Sequence, residues 1–429
     1  MGETDGGAAM PVSDEWAELY RDLHRHPELA FQETRTAGIV AARLRTLGYQ
    51  VTEGVGRTGV VGLFANGDGP VVLLRADMDA LPVEEATGLD YASTARGTDV
   101  DGADVAVMHA CGHDVHVTCL LAACAELAGD HRSWSGTVLA VFQPAEEHGA
   151  GAIAMLDDGL YDRFPKPDVV LGQHVAPIPA GVIGLRSGPA FAASDGVRIV
   201  LHGRGAHGSR PEASVDPVVM AAATVMRLQT IVSREIAATE TAVLTVAQMT
   251  AGTASNVIPD TAELVVNVRT YDPKVLDRVL ASITRIARGE ALAAGAPREP
   301  EVDHVASFPA VVNDESAVDA TRAALASVAL AVVDPGPVTG SEDVGAFATA
   351  AGAPCVYWLL GGADPALFAG LTSIEAIAER VRTIPSNHSP LYAPVIDPTL
   401  ALGASALVAA ARAWLGSSAD GPAQAASTP

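Results

Sequence analysis

The sequence predicts an α/β protein of two or more domains, in which a sheet covered by helices is interrupted by a smaller α+β unit. The chain has 429 residues, more than the roughly 250 to 300 at which one hydrophobic core stops growing. Short apolar segments such as VVLLRA alternate with helical segments, which is typical of strands buried between layers of helices. From about residue 188 the order becomes β-α-β-β-α, which indicates helices on one face of an antiparallel sheet.

Composition and charge exclude several classes of protein. Hydrophobic residues make up 49% of the chain, yet no run approaches the ~18 to 20 uninterrupted apolar residues of a membrane helix. The net charge of -24 argues against a nucleic-acid or membrane partner, because both would require a basic face. The acidic start MGETDGGAAM lacks the features of a secretory signal, and four cysteines are too few for a disulfide framework. We therefore expect a cytoplasmic protein.

The first elements follow from hydrophobic periodicity. Residues 13–26 and 33–47 are predicted as helices, and Gly48 suits the end of the second one. The intervening LHRHPELAFQE is interpreted as a structural corner rather than a catalytic motif, because its proline ends the first helix. Two strands follow, VVGLFANG and VVLLRADMDALP, joined by a turn at residues 66–69.

The second of these strands ends in two acids, Asp77 and Asp79. The carboxyl ends of strands are where α/β sheets place ligands and catalytic groups. For Asp77, capping of the following turn and a role in a site are equally supported. Asp79 is better placed to orient a metal ligand through a hydrogen bond.

The segment MHACGHDVHV carries the strongest local signal for a metal site. It places Cys111 and His113 two residues apart, beside His109, Asp114 and His116, immediately before an apolar helix. Thiolate, imidazole and carboxylate groups are the side chains that bind first-row transition metals. The alternative is that these polar residues only cap the helix.

Two further strands end in residues that can bind metal. GTVLAVFQ is followed by PAEEHGAGA, in which Glu146 and Glu147 are adjacent, and DVVLGQHV contains His174 near its end. Neighbouring side chains at a strand end point in different directions. One glutamate can therefore bind metal while the other faces the substrate as a general base. A solvated Glu-Glu pair is the ordinary alternative, but this pair follows a buried strand and Pro144.

The smaller unit is predicted from DGVRIVLHGRGAH, a helix over residues 215–234, the strands TAVLTVAQM and TAELVVNVRTYD, and a helix over residues 273–294. GAPREPEVDHVASFPAVVND is expected to return the chain to the first domain.

The last third of the chain is expected to complete the first domain. GSEDVGAFATAAG is predicted as a helix that begins at Ser341 and carries two acids in its first turn. PCVYWLLGG is predicted as a buried strand, residues 363–386 as an excursion with one helix, and residues 398–414 as the last helix. The composition of residues 416–429 predicts disorder.

Several motifs together resemble the amidohydrolase branch of the aminoacylase and carboxypeptidase metallopeptidases, which includes hippurate hydrolases and hydrolases of indoleacetyl-amino-acid conjugates. They are RADMDALPVEE, HACGHDVHV, VFQPAEEHGAGA, GQHV, GRGAHGSRPE, SNVIPDTAELVVNVR, GSEDVGAF and NHSPLYAP. The resemblance implies a catalytic domain over residues 13–187 and 304–415, with a central mixed sheet flanked by helices. It also implies a smaller α+β sandwich over residues 188–303 that acts as a lid and forms a homodimer.

The same resemblance implies two divalent metal ions that share a water, with Glu146 as the general base. The implied metal ligands are Cys111, His113, Glu147, His174 and His388. Asp77 stands where the wider superfamily has a ligand histidine, which leaves its role open. A thiolate ligand favours zinc, whereas carboxylate and imidazole ligands also suit manganese, cobalt or nickel.

Three residues of the lid are implied in catalysis or binding. His207 would reach the active site of a neighbouring subunit and stabilise the oxyanion, although a loop histidine is more often exposed and inert. Asn256 and Arg269 would bind the free carboxylate of the substrate, because a guanidinium offers a bidentate fork. An intradomain salt bridge is the alternative for Arg269.

The function that the resemblance implies is hydrolysis of the amide between an acyl group, such as acetyl, benzoyl or indoleacetyl, and an amino acid. A metallo-carboxypeptidase or dipeptidase of the same superfamily is the alternative enzyme. A catalytically inert metal-binding or dimerisation protein is the alternative from another class, and the presence of Glu146 with five ligand residues argues against it.

Overall fold

The computed structural model describes residues 13–417. The described chain divides into two compact units, which consist of residues 13–190, 312–336 and 343–417, and of residues 191–311 and 337–342. Most of the predicted tail, residues 418–429, lies outside the described residues.

The predicted helices are present with shifts at their ends, and two further helices, Leu160–Arg163 and Glu315–Ala326, were not predicted from the sequence. The helices of the described residues are α1 (Asp14–Arg25), α2 (Thr34–Thr46), α3 (His113–Gly129), α4 (Gly151–Asp157), α5 (Leu160–Arg163), α6 (Pro217–Thr230), α7 (Pro273–Ala294), α8 (Glu315–Ala326), α9 (Gly345–Ala351), α10 (Ile374–Thr383) and α11 (Thr399–Trp414). Among the described residues, none of the helices is both long enough and apolar enough to cross a membrane.

The strands are β1 (Gln50–Val55), β2 (Gly59–Asn66), β3 (Val71–Asp77), β4 (Arg96–Thr98), β5 (Asp104–Ala106), β6 (Trp134–Gln143), β7 (Val169–Pro179), β8 (Val182–Gly184), β9 (Gly188–Phe191), β10 (Ala193–His202), β11 (Ala206–His207), β12 (Ala242–Ala251), β13 (Val257–Ile258), β14 (Thr261–Thr270), β15 (Glu301–Phe308), β16 (Val311–Asn313), β17 (Ala331–Val333), β18 (Cys355–Ala363) and β19 (Gly416–Ser417).

The first unit is built on one mixed sheet in the order β1-β2-β6-β3-β7-β18-β8-β17, with β19 paired to β6. Strands β6, β3, β7 and β18 are mutually parallel, whereas β1, β2 and β6 pair antiparallel. This mixed sheet with flanking helices confirms the predicted fold class. One detail differs, because β2 and β3 follow each other in sequence but β6 lies between them in the sheet.

Helix α3 is the central helix of the first unit. It contacts α1, α2 and α11 as well as β3 and β7, and its apolar side chains are buried on nearly all sides. Each fully buried apolar side chain contributes about 1.5–3 kcal/mol. The approach of α11 requires glycine at position 403, since a Cβ atom there would lie 2.5 Å from the Sγ atom of Cys119. The amino end of α3, which carries the metal-ligand motif, is therefore held in a rigid core.

The second unit has a four-stranded antiparallel sheet in the order β12-β14-β10-β15. Helices α6 and α7 cover one face, where Ile199, Leu264 and Ile283 belong to one buried cluster. Helix α7 begins after Asp272, whose side chain accepts the backbone N–H of Lys274 at 2.8 Å, as expected of a capping residue.

The edge strand β15 was not predicted from the sequence. The stretch that contains it was expected to be a return connection, and the predicted boundary between residues 303 and 304 falls inside this strand. The reason is that β15 is largely exposed and therefore lacks the apolar alternation of a half-buried strand.

The helix predicted to begin at Ser341 also differs in the structure. Helix α9 begins only at Gly345, so Glu342 and Asp343 precede it instead of lying in its first turn. Both acids are buried. Asp343 takes part in an ion pair that is described with the site below, and this contact explains why it does not act as a solvated helix-capping residue.

Candidate metal centre and active site

The predicted metal ligands come from four separate segments of the first unit. Cys111 precedes α3 and His113 is its first residue, Glu147 lies in a short 3-10 turn after β6, His174 lies within β7, and His388 lies in the loop after α10. Strand β7 continues to Pro179, so His174 is not at the strand end as predicted. It lies beyond the last residue of β7 that pairs with β3.

These side chains converge. The Sγ atom of Cys111 lies 3.5 Å from Nε2 of His174, and Nε2 of His388 lies 3.4 Å from a carboxylate oxygen of Glu147. Two groups, Cys111 with His113 and His174, and Cys111 with Glu147 and His388, each have ligand atoms within 4.8 Å of one another. Cys111 belongs to both groups, which is the arrangement expected of two neighbouring metal ions.

Unusual backbone conformations bring three of these segments into place. Gly112 has φ 82°, Ala145 has φ 49° and His388 has φ 70°. A Cβ atom at Gly112 would lie 2.4 Å from Cγ1 of Val175, so only glycine fits between the two ligands of this motif. A left-handed conformation costs a residue other than glycine about 1–2 kcal/mol. Such strain at Ala145 and His388 is characteristic of functional sites.

His174 has its tautomer fixed by the backbone. Its Nδ1 atom donates to the carbonyl oxygen of Val175 at 2.8 Å, which leaves Nε2 unprotonated and directed at Cys111. Burial, together with the charge of His116, holds the pKa of His174 well below its ordinary value. The ring is therefore neutral, as a metal-binding imidazole must be.

His113 is surrounded by carboxylates. Its Nδ1 atom lies 3.3 Å from Asp79, whose other oxygen accepts the backbone N–H of Glu147 at 3.0 Å. Burial lowers the pKa of His113, but the negative charge of Asp77 and the hydrogen bond to Asp79 outweigh it and raise the pKa to about 10. The same attraction for positive charge would favour a divalent cation, which would replace the proton. The position of Asp79 fits the orienting role that was predicted for it.

Two buried polar atoms of this cluster have no hydrogen-bond partner among the described residues. They are Nε2 of His113 and Oε1 of Glu147, which lie 3.9 Å apart. Buried polar atoms without partners are rare and need an explanation. Cations bound beside these two atoms would satisfy both, and the mixed sulfur, nitrogen and oxygen donors suit transition metals. The residues present therefore fit a pair of divalent metal ions.

The pKa values of Cys111 and Glu147 follow from burial and neighbouring charge. Burial and the charges of Glu147 and Glu146 raise the pKa of the Cys111 thiol well above its ordinary value. Metal binding would therefore release this proton. Burial also acts to raise the pKa of Glu147, but the hydrogen bond with His388 and the charge of His113 hold it below its ordinary value.

Asp77 and His116 adjoin the predicted ligands, and together with His113 they form a further group whose possible ligand atoms lie within 4.8 Å of one another. Asp77 is hydrogen-bonded to Nδ1 of His116 and lies 2.8 Å from Arg75. The Nε2 atom of His116 accepts the backbone N–H of Val175 at 2.8 Å, so both ring nitrogens are engaged. Burial acts to raise the pKa of Asp77, but Arg75 and the two histidines hold it well below its ordinary value. Asp77 therefore lies in a buried network and does not cap the following turn.

Arg75 joins this network to Asp343. Its guanidinium donates to Asp77, to Gln143 at 2.8 Å and to Asp343 at 3.0 Å, and all four side chains are buried. Removing one member of a buried ion pair costs about 3–5 kcal/mol. Sequence reasoning missed this group, although an arginine inside the apolar run VVLLRAD was a visible signal.

Two further residues near the ligands were also missed. The side chain of Asn387 donates to the carbonyl oxygens of Cys111 at 3.0 Å and Val175 at 3.1 Å, so it ties the His388 loop to two other ligand segments. His24 lies 2.6 Å from Asp114 and 3.1 Å from Glu85, which gives the predicted structural corner a buried ion pair.

The general-base candidate, Glu146, is buried beside these ligands. One of its carboxylate oxygens lies 3.9 Å from Nε2 of His113. The first unit therefore brings together Glu146, the five predicted ligands and Asp79.

The predicted residues of the second unit are arranged differently. His207 is exposed in β11, and its Nδ1 atom accepts the backbone N–H of Ser209 at 3.1 Å, which places the proton on Nε2. Asn256 is also exposed. It lies near His207, since its backbone carbonyl accepts the N–H of Gly208 at 2.8 Å.

Arg269 lies on β14, and in the described part of the chain no hydrogen bond or ion pair joins it to either of these residues. Its guanidinium donates to the carbonyl oxygen of Thr339 at 2.7 Å and to the hydroxyl of Ser341 at 3.1 Å. Among the residues that the structure describes, it forms no salt bridge, so the alternative predicted for it is not observed.

Comparison with known proteins gives a consistent result. The profile of peptidase family M20/M25/M40 matches residues 73–379. The N-acetyl-L-cysteine deacetylase of Bacillus subtilis is 38% identical over 327 residues, which cover 76% of this chain and 75% of that protein. Thermostable carboxypeptidase 2 of Saccharolobus solfataricus is 35% identical over 401 residues, which cover 92% and 94% of the two chains.

A solved structure extends the likeness to the fold and the metals. The YXEP protein of Bacillus subtilis, described as a dinuclear metal-binding peptidase from the M20 family, superimposes with a TM-score of 0.73 at 28% identity. The match covers 93% of this chain and 98% of that one. The family recognised from the motifs is thus confirmed, and with it a hydrolase that acts on amide bonds. This chain belongs to peptidase family M20/M25/M40.

Proposed function

We propose that this protein hydrolyses the amide bond of N-acyl amino acids to a carboxylic acid and a free amino acid. The observation that carries this proposal is the adjacent pair after Ala145. Glu147 lies in the ligand cluster at 3.4 Å from His388, while Glu146 beside it is buried within 3.9 Å of His113. The relationship to an N-acetyl-L-cysteine deacetylase supports the choice of an acyl-amino-acid substrate.

In the proposed mechanism Glu146 moves the protons. Two divalent metal ions, when bound by Cys111, His113, Glu147, His174 and His388, lower the pKa of a water molecule and polarise the amide carbonyl. Glu146 accepts a proton from the attacking water and later delivers it to the nitrogen of the leaving amine. The C–N bond breaks, the water oxygen becomes part of the acid, and no net proton remains on Glu146.

The metal is proposed to be zinc or manganese, with cobalt or nickel as further candidates. The thiol of Cys111 favours zinc, whereas the carboxylate and imidazole donors also suit manganese, cobalt or nickel.

The carboxylate of the amino acid is proposed to bind Asn256 and Arg269. The Nη2 and Nε atoms of Arg269 make no hydrogen bond within the described part of the chain, and they form the side of the guanidinium that matches a carboxylate. A substrate with a free carboxylate next to the cleaved bond is favoured by this arrangement. We therefore expect small conjugates to be better substrates than long peptides.

We also propose that the protein is a cytoplasmic homodimer formed through the second unit, and that it needs no nucleic-acid or membrane partner. In this proposal His207 of one subunit lies at the active site of the other and donates its Nε2 proton to the developing oxyanion.

Mixed dimers test whether the active site is shared between subunits. His207→Ala subunits combined with Glu146→Gln subunits should recover about a quarter to a half of the activity, because half of the sites in each hybrid are intact. No recovery above either parent would contradict a shared site.

A substrate panel tests the proposed function directly. Acetyl-, benzoyl- and indoleacetyl-amino acids should be hydrolysed in the presence of zinc or manganese, and kcat/KM should exceed that for free dipeptides and longer peptides by at least about tenfold. Because the chain is also related to a carboxypeptidase, the same panel tests the alternative function of a metallo-carboxypeptidase or dipeptidase. Preferred cleavage of peptides would support a metallo-carboxypeptidase. A protein that binds two metal ions but hydrolyses none of these amides would support an inert binding role.

A further inference from the structure

Glu33 is a fully buried carboxylate that the mechanism above does not use. It occupies the residue before α2, yet its side chain makes no capping hydrogen bond to that helix. The capping is done by Glu28, whose carboxylate accepts the backbone N–H groups of Arg35 at 2.9 Å and Thr36 at 2.8 Å. Capping of its own helix therefore does not explain why the carboxyl group of Glu33 is buried.

Glu33 forms hydrogen bonds with three segments, and each of them contains a residue other than glycine with a positive φ. Its Oε1 atom accepts the N–H of Phe31 at 2.9 Å and the N–H of Ala145 at 2.8 Å, and its Oε2 atom accepts the hydroxyl of Thr58. Phe31 has φ 61° and Ala145 has φ 49°, and Arg57, the neighbour of Thr58, has φ 83°. Residues other than glycine hold such conformations only when their surroundings enforce them.

Ala145 is the partner of Glu33 that matters for catalysis. It connects the end of β6 to Glu146 and Glu147. Its left-handed φ turns the chain so that these two side chains reach the ligand cluster. A hydrogen bond from a backbone N–H to an ionised carboxylate is stronger than one to a neutral acceptor. Burial and the charge of Asp79 raise the pKa of Glu33 to about 7, so the negative form that binds this N–H most strongly predominates only above about pH 7.

We propose that Glu33 is a positioning residue for the general base, because its carboxylate holds the left-handed turn at Ala145 that places Glu146 and Glu147. The role of Glu146 as base rests on the proposed function, whereas the effect of Glu33 on Glu147 concerns metal binding and does not depend on turnover. The competing explanation is that Glu33 only holds the segment of Phe31 and Thr58 in place.

The test compares Glu33→Ala, Glu33→Gln and a matched control, Thr58→Val. Glu33→Ala leaves the buried N–H of Ala145 without its acceptor, so kcat should fall by about 10- to 100-fold while KM stays within about twofold. Glu33→Gln keeps an oxygen of the same geometry and should restore kcat to within about fivefold of the wild-type value. Thr58→Val removes the donor to the other oxygen, a hydrogen bond that lowers the pKa of Glu33, so the variants are compared well above neutral pH, where Glu33 is ionised in each protein that retains it. Under these conditions Thr58→Val should leave kcat unchanged.

Metal titration provides a readout that is independent of activity. Calorimetry with Mn²⁺ should show two sites in every variant, with the affinity of the weaker site reduced about tenfold only in Glu33→Ala, because Glu147 is displaced together with its turn. If Glu33→Ala lowers the unfolding temperature but matches Thr58→Val in kcat and in Mn²⁺ affinity, Glu33 is a structural residue only and the proposal is wrong.

A second substitution distinguishes an effect of Glu33 on the turn at Ala145 from a general loss of stability. Glycine adopts a positive φ without steric cost, so Ala145→Gly introduced into Glu33→Ala should recover kcat and Mn²⁺ affinity several-fold. An additive double variant would overturn the proposal. If the wild-type protein hydrolyses no acyl amino acid at all, the proposed function fails, and the Mn²⁺ affinities still decide whether Glu33 positions the turn.

Discussion

The two units present most of their predicted functional side chains in different ways. In the first, Cys111, His113 and Glu147 are buried or nearly so, and neighbouring side chains and backbone groups fix their orientation, whereas His388 is exposed. In the second, His207 and Asn256 are exposed. The difference indicates that the buried carboxylates of the first unit favour bound cations, whereas the exposed side chains of the second unit are available as hydrogen-bond donors to a ligand. Substitutions in the first unit should therefore affect chemistry, metal binding and stability. Those of Asn256 and Arg269 in the second unit should affect substrate affinity, whereas His207 of that unit is proposed to act on the transition state.

The largest expected effect separates the two adjacent glutamates of the first unit. Glu146→Gln should lower kcat by about 10³-fold or more while both metal ions remain, because the amide cannot accept a proton. Glu147→Gln should instead lower metal affinity by about 10- to 100-fold or more, because a ligand that also contacts His388 is lost. Steady-state kinetics and metal analysis of the purified variants measure both quantities.

The control for this pair is Glu126→Gln, an exposed acid on α3, which should change neither kcat nor metal content. Full activity of Glu146→Gln would show that another group is the base. Loss of metal in Glu146→Gln together with full metal binding in Glu147→Gln would reverse the two roles.

A smaller effect is expected on stability from the buried pair of His24 and Asp114. Burial lowers the pKa of His24, but the hydrogen bonds to Asp114 and Glu85 raise it from 6.5 to about 9. Because the folded-state pKa is the higher one, the stabilisation is complete below about pH 6.5 and is lost as the pH rises through about 9. Each pKa unit corresponds to about 1.4 kcal/mol, so the pair contributes about 3 kcal/mol to the free energy of unfolding.

Urea denaturation of the metal-loaded protein at pH 6 and pH 9.5 checks this value. His24→Gln should be destabilised by about 3 kcal/mol at pH 6 and by much less at pH 9.5, whereas exposed His26→Gln should follow the wild-type protein at both values. An equal destabilisation of His24→Gln at the two pH values would mean that packing, not charge, accounts for its contribution.

The comparison also shows what the sequence could predict. Helices α1, α2, α7 and α11 and strands β3, β6, β7 and β18 follow from apolar periodicity, because each buries a continuous face or run. The candidate ligands follow from short motifs whose residue types share one chemistry. Their assignment as ligands stays a prediction, and the structure adds that they lie together.

Contacts between distant segments could not be predicted. Arg75 and Asp343 are 268 residues apart, and neither local pattern indicates its partner. The insertion of β6 between β2 and β3 depends on the whole sheet, and the exposed edge strand β15 carries no apolar signal. Asn387 and Glu33 form hydrogen bonds with backbone groups of other segments, so their residue types do not indicate which partners they have.

The smallest expected effect concerns Arg269 in the second unit. One of its nitrogens, Nη1, is already bound to Thr339 and Ser341, so the residue is held in place whether or not substrate is present. Arg269→Lys keeps a positive charge but loses the bidentate fork. We expect KM for an acyl amino acid to rise by about 10- to 30-fold with kcat within about threefold, because an interaction made equally in the ground state and the transition state is lost.

An acyl amino acid amide, which lacks the carboxylate, is the control substrate and should be hydrolysed equally well by the wild-type protein and Arg269→Lys. If instead kcat falls with KM unchanged, Arg269 acts on the transition state, as is proposed for His207, and its assignment as a ground-state binder of the carboxylate is wrong.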